Sequence, residues 1–180
     1  MLQIYTDLII LITVNPFNQW HPCSKNCHPC SKKCHLCSNQ SSVFYKELKM
    51  QYLHQDTTEK IIEAYYKVYN TLGYGFLEEV YHNAMLIELR RMGFECKSQY
   101  PITVFYEVFP VGDYFADIIV NDCVIIENKA SEVLCEEDEF QLINYLKATS
   151  IEVGLLLNFG KRADFKRKIF TNDRKKLEHR

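Results

Sequence analysis

The sequence contains no long apolar segment, few glycines and prolines, and almost no net charge. With six glycines and five prolines among 180 residues, it lacks the composition of a fibrous or low-complexity protein. The apolar run Leu8–Val14 has seven residues, whereas a membrane-spanning helix needs about 20. Asp7 precedes this run and no Lys or Arg lies before it, so a secretory signal is not indicated either. We therefore expect a cytoplasmic protein with no membrane partner.

The composition that is present is typical of one globular domain. Apolar residues make up 47% of the chain and charged residues 24%, which argues against intrinsic disorder. Because a domain usually has roughly 100–200 residues, a second full domain does not fit beside the first. A single fold must therefore carry the function of the chain.

The net charge of −2 conceals an uneven distribution along the chain. Residues 50–160 contain 7 basic and 18 acidic side chains, a net charge of −11, whereas residues 161–180 contain 9 basic and 3 acidic ones, a net charge of +6. An acidic body is poorly suited to binding bare phosphates unless metal ions neutralise part of its charge. The basic end of the chain either contacts phosphate or is solvated surface.

Five of the eight cysteines lie in a seven-residue repeat, HPCSKNC–HPCSKKC–HLCS, at residues 21–38. The two C-x-x-C pairs have the spacing of zinc knuckles, in which two thiolates bind one tetrahedral ion. The repeat offers only Leu36 for apolar packing, however, which favours a short tandem duplication. We therefore predict that residues 1–49 are an N-terminal extension without an independent fold, with Zn²⁺ binding as the less favoured alternative. The other three cysteines have no C-x-x-C partner, which indicates a reduced, cytosolic state.

From Met50 onwards the pattern is that of a complete α/β domain. Apolar residues at helical spacing predict helices at about 57–72, 77–92 and 136–148, the first of them capped by Thr. Segments rich in β-branched and aromatic residues predict the strands Phe94–Ser98, Ile102–Phe109, Tyr114–Val120, Cys123–Lys129 and Glu152–Asn158. This order predicts a three-layer domain at residues 50–170, with a mixed β-sheet flanked by helices, and a basic tail at 171–180.

Strand alternation brings three charged residues together around a predicted two-residue turn at Asn121-Asp122. Glu127 and Lys129 lie on one face of their strand, and Asp117 on the preceding strand can approach Glu127 across the hairpin. Burial of these charges is unfavourable unless another interaction compensates for it, because each of them loses hydration. The spacing supports two interpretations equally. One is an ion-pair cluster, and the other is a site in which the two carboxylates hold Mg²⁺ while the lysine acts on the attacking water.

Several segments of the domain form motifs that follow one another along the chain. Gly75-Phe-Leu-Glu-Glu-Val-Tyr81 has the pattern G-x-x-E-x-x-Y, and Asp117 is followed by Glu127-Asn-Lys129 in the pattern D…E-x-K. The segments QLINYL and GLLLNFG come after them. Together these motifs resemble those of the GxxExxY proteins in the PD-(D/E)XK nuclease superfamily, and the resemblance covers about residues 57–170.

The resemblance implies a restriction-endonuclease-like core with a metal-dependent phosphodiesterase site. Asp117 and Glu127 would bind Mg²⁺ or Mn²⁺, and Glu78 would add a carboxylate to the same site. Lys129 would position or activate water, and Gln141 would contact substrate or water. From the residues alone, Glu78 is also explained by the favourable interaction of a carboxylate with a helix N-terminus, and Gln141 by a solvated helix face.

We therefore predict a Mg²⁺-dependent nuclease that hydrolyses nucleic-acid phosphodiester bonds, with DNA favoured over RNA as the partner. The alternative is a catalytically silent module that keeps the fold and binds a protein or nucleic-acid partner. The oligomeric state and the sequence or structure of the substrate stay open at this point. The presence of Asp117, Glu127 and Lys129 together favours the enzyme, because an inactive module has no need of all three.

Overall fold

A computed structural model describes residues 53–175, which form an α/β domain. The elements in chain order are α1 (Gln55–Leu72), α2 (Glu78–Arg91), β1 (Cys96–Tyr106), β2 (Phe109–Val120), β3 (Val124–Lys129), α3 (Glu136–Ala148), β4 (Val153–Asn158) and β5 (Asp164–Ile169), followed by a short 3-10 turn at Asn172–Arg174. The five strands form one sheet in the order β1-β2-β3-β4-β5, in which β3 and β4 are parallel and the other neighbours are antiparallel. The predicted mixed sheet with flanking helices is confirmed.

Residues 1–52 and 176–180 lie outside the described part of the chain. The predictions about the Cys/His repeat, the apolar run Leu8–Val14 and the last residues of the basic tail fall there. Among residues 53–175, no helix is both long enough and apolar enough to span a membrane.

Each face of the sheet packs against its own apolar core. Helices α1 and α2 cover one face, where their buried side chains meet Ile118, Ile126, Leu155 and Leu157. Helix α3 covers the other face, where Leu142 and Leu146 meet Ile119, Ile125 and Leu156. Neighbouring residues of β3 therefore point into different cores, as the two-residue period of a strand requires. Every residue of β4 is buried, as its apolar sequence predicts.

The turn between β2 and β3 lies at Asn121-Asp122, as predicted. Both residues have positive φ angles, 49° and 53°, and the Cys123 N–H donates a hydrogen bond to the Val120 carbonyl at 3.0 Å. Asn and Asp adopt this left-handed conformation more readily than most residues. The turn fixes the register in which Ile118 lies opposite Ile126. One step further along this register, Asp117 comes level with Glu127.

The predicted limits of the first three strands were wrong. The segments 94–98 and 102–109 were expected to be separate strands, but β1 runs without a break through Pro101. Because β1 is an edge strand, it tolerates a residue that lacks an N–H. The chain reverses at Glu107, whose φ is 53°, so that Phe109 opens β2 well before the expected start at Tyr114.

The start of α1 also differs from the prediction. The helix begins at Gln55 rather than at a Thr57 cap. Thr58 lies inside the first turn, where its hydroxyl donates a hydrogen bond back to the Gln55 carbonyl at 2.9 Å. The threonine therefore satisfies a backbone acceptor instead of capping the N–H groups.

The basic end of the chain contains strand β5, which the sequence did not predict. Lys166 and Lys168 on this strand form ion pairs with Glu139 in the first turn of α3. The Arg167 guanidinium donates a hydrogen bond to the Leu53 carbonyl. Much of the positive charge near this end is therefore bound to the domain itself, which leaves less of it for contacts with phosphate.

Candidate functional site

Glu127 is a buried carboxylate on the central strand β3, with a side chain that is 4% exposed. Its Oε1 accepts hydrogen bonds from Gln141 Nε2 at 2.8 Å and from Lys129 Nζ at 3.1 Å. Its Oε2 is buried and has no hydrogen-bond partner among the described residues. Burial first and the charge of Asp117 second raise the pKa of Glu127 to about 7, against the opposing effect of Lys129. A buried carboxylate with one unpartnered oxygen is unfavourable unless a cation or a proton compensates its charge.

Asp117 lies on β2 beside Glu127, so the two carboxylates meet as the strand alternation predicts. Its Oδ2 accepts a hydrogen bond from the Asn128 backbone N–H at 2.9 Å. Its Oδ1 accepts one from Gln99 Nε2 at 3.3 Å. Both oxygens are therefore oriented by groups of neighbouring strands, while each keeps a second lone pair for another donor or an ion.

Lys129 lies at the end of β3, between the carboxylates and helix α3. Its Nζ donates hydrogen bonds to Glu127 Oε1 and to Gln141 Oε1, both at 3.1 Å, and lies 3.9 Å from Asp138 Oδ1. Burial on its own lowers the pKa of Lys129, but the neighbouring carboxylates outweigh it, and the net effect is a raised pKa. The lysine is therefore held as an ammonium ion, which can donate hydrogen bonds but cannot accept a proton.

Gln141 connects Lys129 and Glu127 from helix α3. Besides its bonds to these two residues, its Nε2 donates to the Tyr145 hydroxyl at 2.5 Å. The alternative of a solvated helix face was wrong for Gln141, because the docking of α3 on the sheet turns this side chain towards β3. With one acceptor and two donors engaged, the amide holds the ammonium and the carboxylate in one fixed arrangement.

Glu78 reaches the same end of β3 from the first position of α2. Its Oε1 accepts a hydrogen bond from the Ala130 backbone N–H at 3.1 Å, one residue beyond Lys129. Its charge also contributes to the raised pKa of Glu127. Glu78 also lies at the N-terminus of α2, as the other explanation for this residue requires. The two explanations are thus compatible, since the helix start lies beside the strand end.

Tyr81 fixes the loop that leads into Glu78. Its hydroxyl donates to the Gly73 carbonyl at 2.9 Å and accepts from the Phe76 N–H at 3.2 Å. Its ring stacks on Phe159, with 4.3 Å between the ring centroids. Gly75 has a φ of 105°, a backbone conformation that residues with a side chain rarely adopt. The glycine and the tyrosine of the G-x-x-E-x-x-Y segment therefore shape the loop that brings its glutamate to the sheet.

Three residues near the site were not identified from the sequence. Tyr145 follows Gln141 by four residues on the same face of α3, so helical spacing could have indicated it. Asp138 also faces Lys129 from the first turn of α3, with 3.9 Å between its Oδ1 and Lys129 Nζ. Gln99 gave no sequence signal, because its contact with Asp117 depends on an unusual backbone conformation.

The donor set at this site suits a small divalent cation. Among residues 53–175, no group of three or more His, Cys, Asp or Glu side chains is arranged to hold a metal ion. Mg²⁺, however, commonly binds only one or two carboxylates and takes its other ligands from water and substrate phosphates. The carboxylates of Asp117 and Glu127 are a pair of oxygen donors of this kind, and the buried Oε2 of Glu127 has no hydrogen-bond partner among the described residues.

One known protein family matches the sequence of this domain. The sequence profile of the PD-(D/E)XK nuclease superfamily matches residues 55–169, nearly all of the described part of the chain. The chain belongs to this superfamily. Its members generally use divalent metals. The narrower resemblance to GxxExxY proteins stays a prediction.

Similarity to individual proteins is lower. Three solved chains match, among them "Crystal structure of SSO0001", which is 18% identical and superposes with a TM-score of 0.41. That match covers 68% of this chain and 61% of the other, so this chain spans less than two thirds of that protein. A search of curated proteins gave no match.

Proposed function

We propose that this member of the PD-(D/E)XK superfamily is a Mg²⁺-dependent nuclease that hydrolyses phosphodiester bonds of nucleic acid. The observation that carries the proposal is the buried Glu127 carboxylate, whose Oε2 has no partner although Asp117 and Lys129 lie beside it. A fold that only had to be stable would gain nothing from burying this carboxylate, because its desolvation is unfavourable. Binding of a cation would compensate for that loss.

Asp117 and Glu127 are the residues that would hold Mg²⁺ or, as an alternative, Mn²⁺, with Glu78 as a further carboxylate from α2. When bound, such an ion supplies positive charge at the phosphate and lowers the pKa of water. The hydrogen bonds from Asn128 and Gln99 would keep the Asp117 oxygens in place for this purpose. The site would thus be largely preorganised, which limits the reorganisation needed during the reaction.

Lys129 would act as a fixed positive charge and hydrogen-bond donor. Its raised pKa favours the ammonium form, so we assign it the positioning of the attacking water and the stabilisation of negative charge that develops on the phosphate. Gln141 would hold Lys129 and Glu127 at their separation. In this scheme Gln141 is a positioning residue, because its amide groups are bound to the two charged side chains.

We propose DNA rather than RNA as the substrate, on the basis of the restriction-endonuclease-like fold. The acidic body predicts weak duplex binding in the absence of metal, since few basic side chains are available for phosphates. We also propose a cytoplasmic location. The three cysteines of the described region are free thiols, which supports a reducing environment.

The test is cleavage of single- and double-stranded DNA and RNA by the full-length protein with Mg²⁺ or Mn²⁺. We expect Lys129→Ala to lower kcat by roughly 100-fold or more, because it removes a charge that acts in the transition state. Lys147→Ala is the matched control, since this lysine is exposed on the outer face of α3. Absence of cleavage by the parent protein, or equal cleavage by Lys129→Ala, would refute the nuclease and favour the silent module.

A further inference from the structure

The hairpin of β1 and β2 extends well beyond the strands that flank it. β2 pairs with β3 only from Ile118 to Val120, whereas its pairing with β1 continues outward to Tyr106 and Phe109. We call residues 100–116 the arm. Among the described strands, none pairs with the β2 side of the arm, and β1 is the edge of the sheet. The base of the arm packs against α3 through Ile102, Tyr114 and Ala116, and beyond this base the arm stands out from the domain as a two-stranded ribbon.

The arm is unusually apolar for an exposed ribbon. Eight of the fifteen large apolar side chains that are exposed in the described region belong to it: Tyr100, Phe105, Tyr106, Val108, Phe109, Val111, Tyr114 and Phe115. Strand pairing and alternation place Tyr100, Tyr106, Phe109 and Tyr114 on one face of the ribbon, and at roughly 200 Å² for each aromatic side chain their exposed parts amount to about 400 Å². This area is within the range of about 300–600 Å² that the largest apolar patch on a typical monomer covers. Such a surface indicates a binding partner.

The charge of the arm argues against nucleic acid as that partner. The arm contains Glu107 and Asp113 but no Lys or Arg. Proteins bind phosphate backbones through Lys and Arg, which neutralise the phosphates and release counterions. A surface with two acidic groups and no basic one would repel the same phosphates. The partner that fits an apolar, weakly acidic ribbon is a protein surface.

We infer that the arm binds the arm of a second copy of this chain, in a two-fold symmetric dimer. A two-fold contact needs only one self-complementary surface, and about 400 Å² of exposed aromatic area on one face, together with Val108 at the tip, fits a small interface, below the roughly 800 Å² per partner of the standard size. When two arms cross in antiparallel directions, the tip of each lies at the base of the other. Glu107 at the tip then approaches Lys97, a cation near the base that also binds Asp122 of its own chain.

The two arms contact each other through their side chains rather than through a continuous series of backbone hydrogen bonds. Pro101 has no N–H to donate, and the register of β1 shifts between Val104 and Phe105. Both features interrupt pairing along an edge strand. The large side chains near the tip are therefore the anchors. Tyr106 and Phe109, which are 68% and 63% exposed, are the strongest candidates.

The test is the oligomeric state of the full-length protein, measured by light scattering and analytical ultracentrifugation in the micromolar range with a reducing agent present. The reducing agent prevents the thiols from linking two chains. We expect a concentration-dependent dimer, and we expect Phe109→Lys to raise its Kd at least about tenfold. Because Phe109 is exposed, this substitution leaves the core intact, which the thermal unfolding midpoint can verify.

Ile87→Lys is the matched control, because Ile87 is 52% exposed on α2, away from the arm. It should leave the Kd unchanged. A parent protein that stays monomeric overturns the inference, and so does a dimer that Phe109→Lys and Tyr106→Lys leave intact. Equal weakening by Ile87→Lys would also overturn it. If the parent is monomeric and Phe109→Lys instead lowers its affinity for DNA, the arm contacts nucleic acid and the dimer is wrong.

Discussion

Gln99 and Asp117 face each other across β1 and β2 at a position where the pairing of the two strands is interrupted. The pairs Ser98–Ile118 and Tyr100–Ala116 flank this position. Gln99 has a φ of 49°, a left-handed conformation that is unfavourable by about 1–3 kcal/mol for such a residue. In this conformation its amide donates a hydrogen bond to Asp117 Oδ1. The strained residue thus touches one of the proposed metal ligands.

We predict that Gln99→Asn separates the backbone strain at this residue from its hydrogen bond to Asp117. Asn adopts the left-handed conformation more readily, so the variant should unfold at the same or a higher temperature. Its shorter amide cannot reach Asp117, so the affinity for Mn²⁺ should fall by about tenfold, as is typical when the partner of a metal ligand is lost. Thermal unfolding and isothermal titration calorimetry measure the two effects. Unchanged Mn²⁺ affinity would show that Gln99 does not position Asp117.

Glu127→Gln should stabilise the metal-free protein above neutral pH. The pKa of Glu127 rises from 4.5 to about 7 on folding, so its contribution to stability is fully present below pH 4.5 and is lost as the pH rises through 7. At pH 8 the charged form therefore destabilises the fold by an amount on the order of 3 kcal/mol, which a neutral amide avoids. The amide oxygen can still accept the hydrogen bonds from Lys129 and Gln141.

Urea denaturation at pH 5 and pH 8 measures this effect. The difference in unfolding free energy between Glu127→Gln and the parent should be larger at pH 8, by roughly 1–3 kcal/mol, than at pH 5. Glu59→Gln is a suitable control, because this glutamate is exposed on α1. A difference that does not change with pH would contradict the raised pKa of Glu127.

The affinity for Mn²⁺ should also depend on pH, because the pKa of Glu127 is raised to about 7. Protons compete with the ion for Glu127, so Mn²⁺ binding should tighten from about pH 6 to pH 7.5 and level off above it. Binding near neutral pH should also release a proton, which appears in calorimetry as an enthalpy that depends on the buffer. The variant Glu127→Gln should lose both the affinity and the proton release. Affinity that is constant over this range would rule out Glu127 as the titrating ligand.

Gly160→Ala should strongly destabilise the domain. A Cβ at this position would lie 1.9 Å from the Ser131 carbonyl oxygen, a backbone atom that cannot move independently. We expect a loss of roughly 3 kcal/mol or more, at the upper end of the effect of an overpacked core. Gly112→Ala is the matched control, since its Cβ would meet nothing within 4 Å. Equal denaturation midpoints for the two variants would contradict this close approach.

The turn type and the strand period were sufficient to predict that Asp117 and Glu127 lie side by side. The two-residue turn at Asn121-Asp122 fixes the register of β2 and β3, and the two-residue period of a strand then aligns Asp117 with Glu127. The burial of β4, which is apolar up to its last residue Asn158, was predictable for a similar reason, since a parallel central strand is buried on both faces. These features depend on residues that are close in sequence.

The features that the sequence did not predict depend on distant partners. Strand β5 has the sequence DFKRKI, which lacks apolar alternation, and it is held by pairing with β4 and by ion pairs with Glu139. The contacts of Gln141 depend on how closely α3 approaches the sheet. Gly154 allows this approach, because a Cβ there would lie 2.7 Å from Leu142 on α3. No short stretch of sequence contains that information.

The parallel pairing of β3 with β4 links the site to the folding of the whole domain. Parallel neighbours need a crossover, here through α3, so Glu127 and Gln141 can meet only after this non-local contact has formed. Glu78 must arrive from a third segment, about fifty residues earlier in the chain. An ion bound at this site would stabilise only the completed fold and would shift the equilibrium towards it. A partly folded chain would then be unable to cut nucleic acid, so that chemistry would begin only when folding is finished.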